Sequence, residues 1–204
     1  CVTVEGVRAH QAAFQAIADA NAGTRLSGTA GYDQSVDYVV SALEDAGYDI
    51  TVQPFQYNTF FLNGPSTLEQ LGPVPTVYVE DVDYGVMTYS ASGDVTGGVT
   101  AVDLQLGDSN SSTSGCEASD FAGLDFSGPA DIALIQRGTC FFSVKALNAE
   151  LAGAEAVVIF NQGNSPTRMG LLTGNASQLP GGTPSNLTVP VVGASFPQGV
   201  APSP

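Results

Sequence analysis

Metal and nucleophilic chemistry need imidazoles, thiols or carboxylates that converge on one point. This sequence offers few of them: one histidine and three cysteines among 204 residues. His10 falls on the apolar stripe of a helical pattern, where a packed structural role explains it better than ligation. A Ser-His-Asp arrangement would have to use that same His10, and no nucleophile and base are paired around it. Glu80, Asp81 and Asp83 form an acidic run without the ligand-rich spacing of a calcium loop, so a solvated turn accounts for them. The Gly-rich stretch GTRLSGTAG has neither the lysine nor the strand-loop-helix order of a phosphate loop. No catalytic residue, metal ligand or cofactor is therefore assigned to this chain.

Binding chemistry is better represented. Arg8, Arg25, Arg137, Lys145 and Arg168 are the only fixed cations, and two of them flank Cys140 and the aromatic pair Phe141 and Phe142. A carboxylate or a peptide backbone would find charge and apolar contact together there. Arg137, Phe141 and Lys145, with Asn161 closing the next apolar run, form the candidate peptide-binding set. The competing reading is structural: Arg137 caps a nearby carbonyl and one phenylalanine fills the core. Asn110, Asn175 and Asn186 each open an acceptor triplet that would carry an N-glycan in a eukaryotic host, although such triplets also arise by chance in a Ser/Thr-rich chain.

The elements that must position these residues read as one strand-helix-strand unit. The apolar run DIALIQ leads through a Gly-containing turn into an amphipathic helix and then into AVVIF. Cys140, Val144, Leu147 and Leu151 fall on one face of that helix, which is predicted to pack on the sheet, and Gly153 is placed to end it. Upstream, residues 5–21 carry Val7, His10, Phe14, Ile17 and Ala18 on one stripe. Residues 33–46 do the same with Val36, Val39, Val40 and Leu43; Asp33 or Ser35 would cap this second helix and Gly47 would terminate it. DITVQPFQY alternates as an edge strand, with a bulge where Pro54 shifts the phase. Beyond residue 62 the texture turns to short β-type runs, TVYVE, VMTYS, VTAVDLQL, DIALIQ, AVVIF and VPVVGAS. Residues 107–115 and 161–187 are polar loops, and the second is long enough to be functional or mobile.

Composition narrows the partners. A net charge of −15 argues against nucleic acid and anionic membrane surfaces, both of which reward clustered lysine and arginine. There is no run of about 18 apolar residues to span a membrane. Cys116 and Cys140 enclose about two dozen residues, and a bond between them would contribute on the order of 3 kcal/mol in an oxidising compartment. Two buried free thiols are the alternative. Cys1 is left over as a free end, an intermolecular partner or a lipid carrier. With no initiating methionine or signal peptide, the chain reads as a mature form or a cut piece.

From Gly115 to Asn161 the residues GC, SDF, IALIQRGTCFF and AGAEAVVIFN, followed by VPVVGAS at 189–195, resemble the protease-associated (PA) domain. NAGTRLSGTAGYDQSVDYVVSALEDAGYDITVQPF is similar to the opening of secreted zinc-dependent aminopeptidases of metallopeptidase family 28, which carry a PA domain after their first strand. The resemblance implies an α+β fold: a PA-domain open β-barrel or sheet with flanking helices over 60–204, preceded by a helix-helix-strand piece of an α/β peptidase domain over 1–59. It implies two zinc ions for the parent enzyme, held by two histidines and several carboxylates in a region after the PA domain, with a glutamate as general base. Those residues are missing here, so this chain is expected to be inactive alone. Its implied role is to control substrate access or to mediate protein and peptide contacts. The implied partners are the rest of the peptidase domain and peptide or protein substrates, and the implied location is extracellular or another oxidising compartment. A stand-alone PA binding module of receptor or adhesion type is the alternative, and a PA insert of a subtilisin-like protease a third. The segment at 21–55 disfavours both.

Overall fold

Helical periodicity fills the front of the chain and short apolar runs fill the rest, and the computed structural model, which describes residues 2–57 and 59–201, follows that division. Cys1–Tyr57 and Asn58–Pro204 form two separate units.

The first unit is a pair of helices, α1 (Val4–Ala20) and α2 (Ala30–Asp45). Thr3 caps α1, its hydroxyl accepting the Gly6 amide at 3.1 Å. Thr29, in extended backbone, occupies the cap position of α2. The expected caps, Asp33 and Ser35, lie inside the helix, and the Ser35 hydroxyl donates back to the Gly31 carbonyl at 2.7 Å. The helices meet through Phe14 and Tyr38, whose rings stand edge to face at 5.3 Å, and Arg25 covers Phe14 with its guanidinium carbon 4.5 Å from the ring centre. His10 shares a 2.6 Å hydrogen bond with the Tyr38 hydroxyl, a structural role at an exposed site. The expected edge strand at 49–57 is not formed, and Val52, Phe55 and Tyr57 are exposed. The alternation suits a strand, but a strand needs a neighbour to complete its ladder, and no described segment supplies one.

The second unit is built on an open mixed sheet. A small antiparallel pair, β1 (Leu68–Gln70) and β2 (Thr76–Tyr78), precedes it. The main sheet contains β3 (Tyr84–Val86), β4 (Gly98–Val102), β5 (Asp131–Gln136), β6 (Ala156–Phe160) and β7 (Val191–Ala194), in the spatial order β3-β7-β6-β5-β4. The four strands from β7 to β4 are parallel, while β3 runs antiparallel to β7. The sheet stays open rather than closing into a barrel. Both faces are covered. Val102, Ala133, Ile135, Val157, Ile159 and Val191 face one core; Tyr84, Leu134, Phe160 and Ala194 face the other. This is why DIALIQ and AVVIF are continuous apolar runs rather than alternating ones. VTAVDLQL is shorter than its pattern, because β4 ends at Val102 and Asp103 turns the chain with a φ of 40°.

Helix α3 (Phe142–Ala152) crosses from β5 to β6, and α4 (Phe196–Val200) follows β7. Gly153 ends α3 with a φ of 109°, as the sequence predicts. The buried face is a different one from that expected. Ser143, Lys145, Ala146 and Ala149 are buried, Leu147 is only partly so, Leu151 is 76% exposed and Cys140 precedes the helix. Two alanines let α3 lie close to the sheet, which a face of larger side chains would hold away.

Candidate functional site

The turn after β5 begins with a close approach. A Cβ on Gly138 would lie 1.8 Å from the Ser112 carbonyl oxygen, and the Thr139 amide donates to that carbonyl at 3.1 Å. Glycine at this point lets the turn lie against the 112–116 segment. Cys116 and Cys140 are joined in a disulfide, with their Cα atoms 5.8 Å apart. Helix α3 holds the same segment from the other side. Asn148 Nδ2 donates to the carbonyls of Gly115 and Cys116, at 3.1 and 3.0 Å, and Lys145 Nζ donates to the Ser114 carbonyl. The Ser114 hydroxyl in turn donates to the Val102 carbonyl at the end of β4 and accepts the Gln136 amide at the end of β5.

Lys145 is therefore not the surface contact expected from the sequence. It is 0% exposed, with Nζ 3.6 Å from Cys116 Sγ. Burial pushes its pKa down to about 8, and the more distant charges of Asp120 and Asp103 offset part of that effect. Its aliphatic stem is buried, and its amine satisfies the Ser114 carbonyl beside the disulfide.

Arg137 and Asn161 do come together. The Arg137 amide donates to Phe160 O at 2.8 Å and the Asn161 amide to Ala194 O at 3.0 Å, so both residues sit at the carboxyl ends of the parallel strands. Arg137 Nη1 donates to Asn161 Oδ1 at 3.4 Å, and its guanidinium carbon lies 6.0 Å from the ring centre of Phe142. Phe141 is 57% exposed. The neighbour of Asn161, Gln162, accepts at Oε1 from Arg168 Nη1 at 3.1 Å. Burial lowers the Arg137 pKa, and the like charge of Arg168 adds to the effect. Among the described residues neither guanidinium pairs with a carboxylate.

Sequence reasoning missed Arg168 and Gln162 as parts of this cluster, and named Phe142 only as one of the aromatic pair beside Cys140. The signal for Arg168 was its rarity, since it is one of only five cations and lies in the loop at 161–187. The acceptor asparagines differ in setting. Asn110 is tied down through Nδ2 bonds to the Gly107 and Gln162 carbonyls, whereas Asn175 and Asn186 are exposed.

Residues 95–201 match the PA domain family. The chain belongs to that family. The PA unit and the helices before it together align with an aminopeptidase of Pseudomonas aeruginosa strain UCBPP-PA14, 43% identical over 202 residues, which are 98% of this chain and 36% of the relative. A probable lipoprotein aminopeptidase, LpqL, of Mycobacterium tuberculosis is 33% identical over 174 residues, covering 85% of this chain and 32% of the relative. Among solved structures, the aminopeptidase from Aneurinibacillus sp. strain AM-1 superposes with a TM-score of 0.61 at 28% identity, over 94% of this chain and 39% of that one. The chain thus spans about a third of the length of the curated relatives it matches. The disulfide is consistent with an oxidising compartment. No described helix is long and apolar enough to cross a membrane.

Proposed function

We propose that this chain is the non-catalytic, PA-bearing part of a secreted zinc-dependent aminopeptidase, with residues 1–59 belonging to the peptidase domain and 60–204 forming the PA domain. The observation that carries the reading is the 43% identity to a bacterial aminopeptidase across nearly the whole chain, helices included. A PA unit alone would not require the helical front to match as well. The residues described here do not fit a zinc site. No group of three or more His, Cys, Asp or Glu among them is placed to hold a metal ion, and the single histidine is engaged by Tyr38. Zinc, two ions by family resemblance, belongs in this proposal to the remainder of the enzyme, and no step is routed through it here.

The PA unit's role is physical. Standing beside the entrance to the peptidase site, it would narrow access so that peptide ends enter more readily than folded proteins, or would hold a peptide or protein at its own surface. The natural secreted product tests the assignment. A mass well above 20.8 kDa, bound zinc and release of amino acids from short peptides are expected. A natural product of 20.8 kDa that is metal-free and inactive would replace this reading with a stand-alone PA module, for which Arg137 and Arg168, which meet no carboxylate among the described residues, are the best support. The access role has its own test in the complete enzyme. Deleting residues 60–200 should relax its preference for short peptides over proteins, and an unchanged preference rules the role out.

A further inference from the structure

Arg137 and Arg168 bond to the consecutive residues Asn161 and Gln162, and among the described residues neither meets an acid, in a chain whose net charge is −15. Each guanidinium has five N–H donors, and each spends one on a neutral side-chain amide: Arg137 on Asn161, Arg168 on Gln162. Those two amides are consecutive, only 3% and 5% exposed, and themselves fixed. Asn161 Nδ2 donates to the Gly170 carbonyl at 2.9 Å, Asn161 Oδ1 accepts the Gln162 amide at 2.9 Å, and Gln162 Nε2 donates to the Asn110 carbonyl at 2.9 Å. The ring centre of Phe142 lies 6.0 Å from the Arg137 guanidinium carbon. The two forks are thus presented on a rigid base, which lowers the ordering cost of any ligand they take. They also lie where open α/β sheets bind ligands, at the carboxyl ends of the parallel strands β5 and β6.

We propose that Arg137 and Arg168 form a carboxylate-binding site, taking one carboxylate of a peptide or protein ligand between them. A carboxylate offers four lone-pair positions in a plane, matched to donors from two guanidinium forks, and its charge relieves the repulsion between them. The inference rests on the contact role proposed above. It does not depend on peptidase activity, so either can fail alone.

The test is a titration of the protein followed by the arginine side-chain Nε–H resonances in NMR. N-acetyl-Leu-Ala as the free acid is compared with its C-terminal amide, and N-acetyl-Asp-Ala-amide with N-acetyl-Asn-Ala-amide, so that terminal and side-chain carboxylates are separated. The expected result is a saturable shift of both Arg137 and Arg168 with at least one acid, none with the matching amide, and about tenfold weaker binding in Arg168→Gln. Arg168→Lys, which keeps the charge but loses the fork, should fall between the two. Arg168 is partly exposed on a loop, so these variants should fold; an unchanged thermal transition checks this. Equal response to acid and amide forms, unaltered binding in Arg168→Gln, or tighter binding of inorganic phosphate than of either acid would overturn the assignment.

Discussion

The helical front and the sheet unit draw on the same apolar residue types, yet they bury them differently. In α1 no residue is buried, and Val7, Val39 and Leu43 of the helix pair are exposed. In the sheet unit Leu134, Ile135, Val157, Ile159 and Phe160 are excluded from water almost completely. Amphipathic pattern is enough to define a helix, but a core requires a second layer to receive the stripe. The sheet has layers on both faces, whereas in the front α1 and α2 pack on each other.

This contrast can be challenged most strongly by truncating one aromatic residue in each unit. Phe160→Ala should cost about 3–5 kcal/mol, because it empties a fully buried site between β6 and Phe196. Phe14→Ala should cost clearly less, about 1–2 kcal/mol, since the ring is only partly buried. Residue-resolved hydrogen exchange in denaturant, which reads each unit separately, checks the pair. Equal losses would show that the front has a core of its own.

Replacing both Cys116 and Cys140 with serine should cost on the order of 3 kcal/mol, through the loop the bond closes. The loss should appear in exchange from the sheet unit and leave amides of α1 and α2 unchanged. A matching loss in the helices would break the separation.

Lys145 gives the sheet unit a pH signature. Its folded pKa is lowered to about 8 from 10.5, so below pH 8 both states hold the proton and the fold carries the full cost of burying the charge. Between about pH 8 and 10.5 the unfolded chain holds more protons, and stability rises with pH. Relative to Lys145→Met, the wild-type unit should gain roughly 2–3 kcal/mol across that window. Denaturant midpoints of both proteins at pH 7 and pH 10, with Cys1 blocked, would measure it; parallel curves would mean that the amine is not buried in solution. The smallest effect is expected from Tyr38→Phe, which removes the exposed His10 contact and should cost no more than about 1 kcal/mol, confined to the helical front.

Much of the architecture was legible because it is local. The strand-helix-strand unit and the end of α3 at Gly153 follow from short-range pattern, while the structure decides for a bond between Cys116 and Cys140 over the alternative of two free thiols. The helix stripe was misread for a specific reason. Hydrophobicity pointed to Val144, Leu147 and Leu151, but the sheet selected Ala146 and Ala149, because close approach depends on size. Residues 49–57 carry a strand's alternation and form none, since pairing requires another strand. Of the candidate binding residues, Arg137 and Asn161 meet, Phe141 is exposed nearby in sequence, and Lys145 is buried beside the disulfide. Charge alone could not distinguish Lys145 from Arg168.

By itself, the sequence determined the helices, the buried strands and the acidic charge, because periodicity and composition act over a few residues. Only the tertiary structure decided which helix face is buried, which strand finds a partner and which two cations bond to consecutive residues. Those outcomes depend on surfaces from distant segments: β5 and β6 bring position 137 beside 161, the loop beyond returns 168 to the same place, and the sheet's depth takes Lys145 out of water.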